Sequence, residues 1–143
     1  MSLFNVFDIT GSGMSAQSVR LNTTASNIAN ADSVSSSAEQ TYRARHPVFA
    51  TAMQEAAAGQ NAKEGSGVGV NVLGIVESDA PLNVEYAPSH PMANHEGFIY
   101  KPNVNVIEEM TNMISASRSY QTNVQLAESA KNMLNKTLQL GKN

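Results

Sequence analysis

Two stretches of the chain repeat apolar residues at intervals of seven. Near the N-terminus the series is Phe7, Met14, Leu21 and Ile28. Near the C-terminus it is Val106, Met113, Tyr120, Ala127 and Leu134, with Ile107 and Ile114 alongside and Met110, Val124 and Leu138 in a second row. Such a spacing draws a narrow stripe down a helix, the width of a coiled-coil seam and not of a globular face. Both stretches predict helices that need a partner along their length.

The N-terminal helix must cross Gly11-Ser12-Gly13. Each glycine weakens it by about 1 kcal/mol relative to alanine, so the site marks a kink or a close approach by a neighbouring helix. The seam runs out at Ile28, where Asn30 and the Asp32–Ser37 run supply turn chemistry. The C-terminal stretch follows Pro102 and then contains no proline. Asn103 or Asn105 can cap its start, and Glu108-Glu109 place negative charge in the first turns, where the helix dipole favours it. One helix of about 35 residues results, roughly 50 Å long.

The middle is less regular. Residues 33–67 are rich in Ser, Ala, Gln and Gly around one mixed island, TYRARHPVFATAM (41–53), where Tyr42, Val48 and Phe49 anchor a strand or short packed loop. EAAAGQNAKEGSG reads as an exposed connection. From Val68 the pattern alternates through Val70 and Val72 to Ile75-Val76, and LNVEY and FIY follow between prolines. These predict a small β unit of two or three strands, too small to stand alone. The fold class expected is mainly α with a small β insertion, the terminal helices paired in a coiled-coil-like arrangement. Its parts are an N-terminal helix over 1–32, a loop over 33–67, the β unit over 68–101 and a long helix over 102–143.

Composition narrows the function. The 143 residues suffice for one domain, yet aromatics make up only 6% and tryptophan is absent, so a large core is poorly supplied. A net charge of −3 gives no electrostatic reason for nucleic acid or an anionic membrane. No cysteine is present, which excludes disulfides and thiolate metal sites. MSLFNVFDITGSGMSAQ has no basic n-region and no apolar run of signal-peptide length. Read without any motif, it predicts a cytosolic protein.

Candidate chemistry is sparse. HPMANHEG brings His90, His95 and Glu96 close in sequence, and an enzyme or metal site built on them is one alternative. The spacing is not that of a helical metal motif, and a proline-flanked turn with hydrogen-bonded or exposed histidines fits better. No nucleophile elbow or phosphate-cradling loop occurs. Asn22-Thr23-Thr24 and Asn135-Lys136-Thr137 match the glycan acceptor pattern but fall inside the expected helices.

Asn27-Ile28-Ala29-Asn30, closing a helix with a glycine-containing apolar start, resembles the signature of flagellar rod and hook-type axial proteins. The second half, YAPSHPMANHEGFIYKPNVN followed by VIEEMTNMISASRSYQTNVQ, is similar to the proximal-rod members of that family. The matching residues are Tyr86, Pro88, His90, Pro91, Ala93, Gly97, Pro102, Asn103, Val104, Glu108, Glu109, Met110, Ala116, Arg118, Tyr120 and Asn123. Only residues 33–67 match loosely. Phe98-Ile99 replaces a more usual Tyr-Val, and Ala31-Asp32-Ser33 stands where a threonine is common.

The resemblance implies a structural, non-enzymatic subunit of a hollow rod that crosses the periplasm and carries torque from the inner-membrane ring to the hook. It implies delivery by the flagellar type III export apparatus without a cleaved signal. It also implies assembly with further copies and other rod subunits, and no cofactor, metal, nucleic acid or small-molecule substrate. The residues expected to carry assembly are Asn27, Ile28, Ala29, Asn30, Pro102, Asn103, Val104, Glu108, Glu109, Met110, Arg118, Tyr120 and Asn123, beside the two seams. Asn27 and Asn30 are read as the polar end of a seam helix, bonding backbone of their own turn or of a neighbouring subunit. A soluble coiled-coil adaptor, or an exported protein with no rod role, is the other alternative.

Overall fold

The computed structural model describes residues 3–52 and 68–141. The connection expected over 55–67 lies outside them. Among the described residues six elements follow in order: α1 (Leu3–Ala29), β1 (Arg45–Thr51), β2 (Val70–Glu77), β3 (Asn83–Tyr86), β4 (Phe98–Lys101) and α2 (Val106–Leu140). The architecture is mainly helical with small antiparallel β structure between the helices.

Each helix end has a local cause. At α1's C-terminus the Asn30 amide donates to the Ser26 carbonyl at 2.8 Å, and the Ser33 hydroxyl donates to the Asn30 carbonyl at 2.8 Å, so carbonyls of the last turn find partners outside the helix. At α2's start Asn105 is the cap, its Oδ1 accepting from the Ile107 and Glu108 N–H groups at 3.1 and 3.4 Å. The other cap candidate, Asn103, is used elsewhere. The Gly11-Ser12-Gly13 stretch does not break α1. A Cβ on Gly13 would stand 3.0 Å from the Asn123 amide nitrogen, so this is a close approach by α2 and not a helix end.

The β residues form two sheets of two strands, β1 with β2 and β3 with β4. The alternating run from Val68 thus finds its partner upstream, in the 41–53 island, and not in the following LNVEY. In the second sheet Asn83 opposes Lys101, Val84 opposes Tyr100, Glu85 opposes Ile99 and Tyr86 opposes Phe98. Period-two alternation turns Ile99 inward, where it is buried, and puts Val84, Tyr86, Phe98 and Tyr100 on the other face. Ser35 exchanges both backbone hydrogen bonds with Tyr100, so the Ser-rich turn after α1 is fastened to the outer side of β4.

The β3–β4 turn is self-capped. Asn94 Oδ1 accepts from the Glu96 and Phe98 N–H groups, both at 2.9 Å, and His90 Nδ1 accepts from the Met92 N–H at 3.1 Å. Gly97 has φ +83°, and a Cβ there would lie 2.9 Å from the Tyr86 ring. Gly97→Ala is expected to lower the unfolding free energy by about 1–3 kcal/mol, read by chemical denaturation. An unchanged midpoint would contradict that placement.

Across the same sheet, Lys101 pairs with Glu85, and its hydrogen bond and charge hold the Glu85 carboxyl below its ordinary value. The pairing helps folding above the carboxylate's unfolded value and is lost as pH falls through the folded one. Both groups are exposed, so the effect is local. Lys101→Ala should return the Glu85 titration to the ordinary carboxylate range in an NMR pH series. A titration unmoved by the substitution would contradict the pairing.

Two compact units divide the chain. One holds α1 up to Val19, strand residues 48–51 and 70–74, and α2 from Ser115 onward; the other holds 20–47 and 75–114. The first buries Thr10, Ala16, Ala116 and Ala130, and the second Thr23, Thr24, Asn27, Thr41, Ala44, Ile99, Pro102 and Glu109. Among the described residues these interiors are small or polar, with Ile99 the largest apolar side chain fully inside. The large apolar residues lie nearer the surface.

Candidate assembly interface

Asn27 is the centre of the second unit. It is fully buried, and its amide uses every hydrogen-bonding capacity it has. Its Nδ2 donates to the Arg45 carbonyl at 2.8 Å and to Glu109 Oε2 at 2.9 Å. Its Oδ1 accepts from the Tyr42 hydroxyl at 2.8 Å and from the Arg45 N–H at 2.9 Å. One side chain near the end of α1 therefore holds both backbone groups of residue 45 and a carboxylate on α2. The partners lie in the chain's own Tyr42, the start of β1 and the second helix, not in the turn of Asn27 itself. Asn30, half-buried, does bond its own turn.

The network extends along both helices. Glu109 is buried and also receives a long contact from Asn112 at 3.5 Å, and the Arg20 guanidinium donates to Asn112 Oδ1 at 2.9 Å. Arg20 meets Asn112 while Asn27 meets Glu109, so the helices run in opposite directions here. Asn103 clamps from the other side: its Oδ1 accepts from the Ala44 N–H at 2.8 Å, and its Nδ2 donates to the Ala80 carbonyl at 2.9 Å. Residue 45 is thus held by Asn27, and residue 44 by Asn103 together with the Ser78 N–H, which donates to the Ala44 carbonyl. Tyr42 carries the Arg45 guanidinium on its ring at 5.3 Å, and Arg45 pairs with Glu77 at 3.1 Å.

The expected seams sit differently. Phe7, Met14, Leu21 and Ile28 are all half-buried, as are Met113, Ala127 and Leu134, while Val106 and Tyr120 are exposed. Of the remaining expected assembly residues, Pro102 is buried, Asn103, Val104 and Asn123 are half-buried, and Ala29, Glu108, Met110 and Arg118 are exposed. The most buried row on α2 runs Glu109, Ala116, Asn123, Ala130, again at intervals of seven, with Asn123 against Gly13 in the first unit. That row went unread because only apolar residues were counted, yet its small and polar members keep the same period. Tyr42, Arg20 and Asn112 carried no such signal.

Outside these rows α2 also exposes several large apolar side chains. Ile107 is 78% exposed, Met110 55% and Ile114 57%, while Leu126, Met133, Leu138 and Leu140 are exposed further along. Ile107, Met110 and Ile114, at spacings of three and four, lie on one side of the helix. His90 and His95 stand in the β3–β4 turn, and among the described residues no three acidic, histidine or cysteine side chains gather where they would hold a metal ion.

The two ends of the chain match two family models. Residues 7–35 match that of the flagella basal body rod protein, and residues 95–140 that of the flagellar basal body rod FlgEFG protein C-terminal. The class is that of flagellar basal-body rod subunits. Over their full lengths, proteins called flagellar basal-body rod protein FlgC are similar to this chain. The one from Salmonella typhimurium is 48% identical over 141 residues, and that from Escherichia coli O157:H7 is 47% identical over 142, each alignment covering 99% of both chains. That from Bacillus subtilis is 31% identical over 153 residues, covering 99% of this chain and all of the relative. The chain belongs to the FlgC family and is a structural rod subunit of the flagellar basal body.

Proposed function

We propose that this subunit polymerises through α1 and α2, paired in a coiled-coil-like manner, into a hollow helical rod of further copies and other rod subunits. The observation that carries the reading is the division of labour on the helices. Within one chain the helices meet through Gly13 and Asn123, Arg20 and Asn112, and Asn27 and Glu109, while Ile107, Met110, Ile114, Leu126, Met133, Leu138 and Leu140 of α2 remain exposed. Small residues allow close approach but bury little apolar area, so most of the hydrophobic driving force is left for neighbours. The resemblance to axial proteins supplies the wider setting: a torque-bearing shaft across the periplasm, next to the inner-membrane ring and delivered by the type III export apparatus without a cleaved signal. Its 1–32 and 102–143 regions serve assembly, and 33–101 decorates them. No catalytic step is assigned to it.

Ile114→Lys tests this reading. Ile114 is more than half exposed, so the substitution should leave the circular dichroism of the purified chain unchanged. In cells it places a charge where a neighbour must pack, and desolvating that charge without a partner is strongly unfavourable. Rods should be missing by electron microscopy. Intact rods and normal swimming would overturn the reading.

A further inference from the structure

The apolar rows of both helices repeat every seven residues, so shifting one helix along the other by seven brings the same kinds of residue together again. Phe7, Met14, Leu21 and Ile28 therefore do not define which stretch of α2 lies beside α1. A residue that breaks the repeat is needed. Along the buried row of α2 the positions are Glu109, Ala116, Asn123 and Ala130, and only the first carries a charge. Along α1 the row through Asn27 continues to Arg20 and Gly13.

We infer that the buried Asn27–Glu109 contact sets the register of the helix pair. In the observed register Glu109, 4% exposed, receives the second N–H of Asn27 at 2.9 Å, and Asn112 links it to Arg20. After a shift of seven residues that N–H faces Ala116, with Glu109 beyond the end of α1, or faces Pro102, with Glu109 beside Arg20; in both cases the Asn27 amide loses its carboxylate acceptor. A buried charge without its donor is far more unfavourable than the loss of one apolar contact. The carboxylate disfavours the first shifted register and the unpaired Asn27 amide disfavours both, although the apolar rows repeat equivalently in each. Single buried polar residues fix register in coiled coils by the same physics.

The inference rests on the proposed helix pairing, and the test separates the two. The chain has no cysteine, so cysteines at the exposed Ala25 and Thr111 take spin labels selectively. Pulsed electron spin resonance on the labelled full-length chain reads the distance between them, in the background of Glu109, Glu109→Gln and Glu109→Leu. The parent chain should give one narrow distance; a broad distribution there would refute the pairing itself. Glu109→Gln keeps an acceptor for Asn27 and should leave that distance alone. Glu109→Leu should retain helix content by circular dichroism but add a second population displaced by about 10 Å along the helix, seven residues at 1.5 Å each. A single unshifted distance in Glu109→Leu would overturn the register role. Failure of Glu109→Leu to fold while Glu109→Gln folds would also overturn it, making Glu109 a stability residue instead.

Discussion

Asn27→Leu is expected to abolish swimming and to lower the unfolding free energy of the purified chain by about 3 kcal/mol or more. Leucine has a similar volume, so packing alone does not produce the loss. The amide it removes serves four partners: the Tyr42 hydroxyl, the Arg45 N–H, the Arg45 carbonyl and the Glu109 carboxylate. Each polar group left buried without a partner is unfavourable by roughly 1–3 kcal/mol, and a carboxylate by more. Part of that is recovered where water reaches Arg45 or Tyr42, which are not fully buried. Asn30→Leu should do much less to stability, because Asn30 is half-buried and its amide contact is with one carbonyl of its own turn. Urea denaturation of both variants decides the order. Equal midpoints for the two, or an Asn27 variant as stable as the parent, would remove Asn27 from the centre of the site.

Ala127→Lys is expected to abolish rods while changing the isolated chain little. Ala127 lies on the Val106–Leu134 row and is half-buried, between the enclosed Ala116 and Ala130 on one side and exposed residues on the other. In a single chain a lysine there extends its ammonium to water along its own stem. In a polymer the neighbouring subunit closes that exit, and the charge becomes buried without a partner. Circular dichroism of purified protein together with electron microscopy of mutant cells reads both halves. Intact rods would show that Ala127 does not face a packed seam. Loss of helix content in the isolated chain would show that the row is already closed within one subunit.

How far the sequence reveals this molecule depends on how local the cause is. The start of α2 was legible because Pro102, Asn105 and Glu108-Glu109 act within a few residues of the terminus, and its uninterrupted length follows from the lack of proline. The end of α1 was legible for the same reason. Pairing of β1 with β2 was not, because β1 is a short mixed run without alternation and neither strand carries a turn signal that names its partner. The Asn27 network was illegible in a deeper way. Its contact with Glu109 spans 82 residues, and hydrogen-bond complementarity between single side chains leaves no period to detect. The buried row on α2 lies between these cases. Its period is present in Glu109, Ala116, Asn123 and Ala130, but a search for apolar residues passes over it.

Both helices together suggest why the chemistry is divided as it is. In each unit, polar and small side chains fill the interior and use little apolar surface. In the proposed rod the apolar surface so conserved is what neighbours would cover. A subunit with Ile107, Met110 and Ile114 buried in its own core would have less to offer the next copy.

The central claim, that α1 and α2 of adjacent subunits close over these apolar rows to form the wall of the rod, is tested most directly by a cryo-electron microscopy map of isolated basal bodies containing this chain. The account predicts α1 and α2 lining the channel, with Ile107, Met110 and Ile114 of one copy covered by a helix of another. A map in which both helices face solvent, with neighbours joined only through the β1–β2 and β3–β4 sheets, would contradict it.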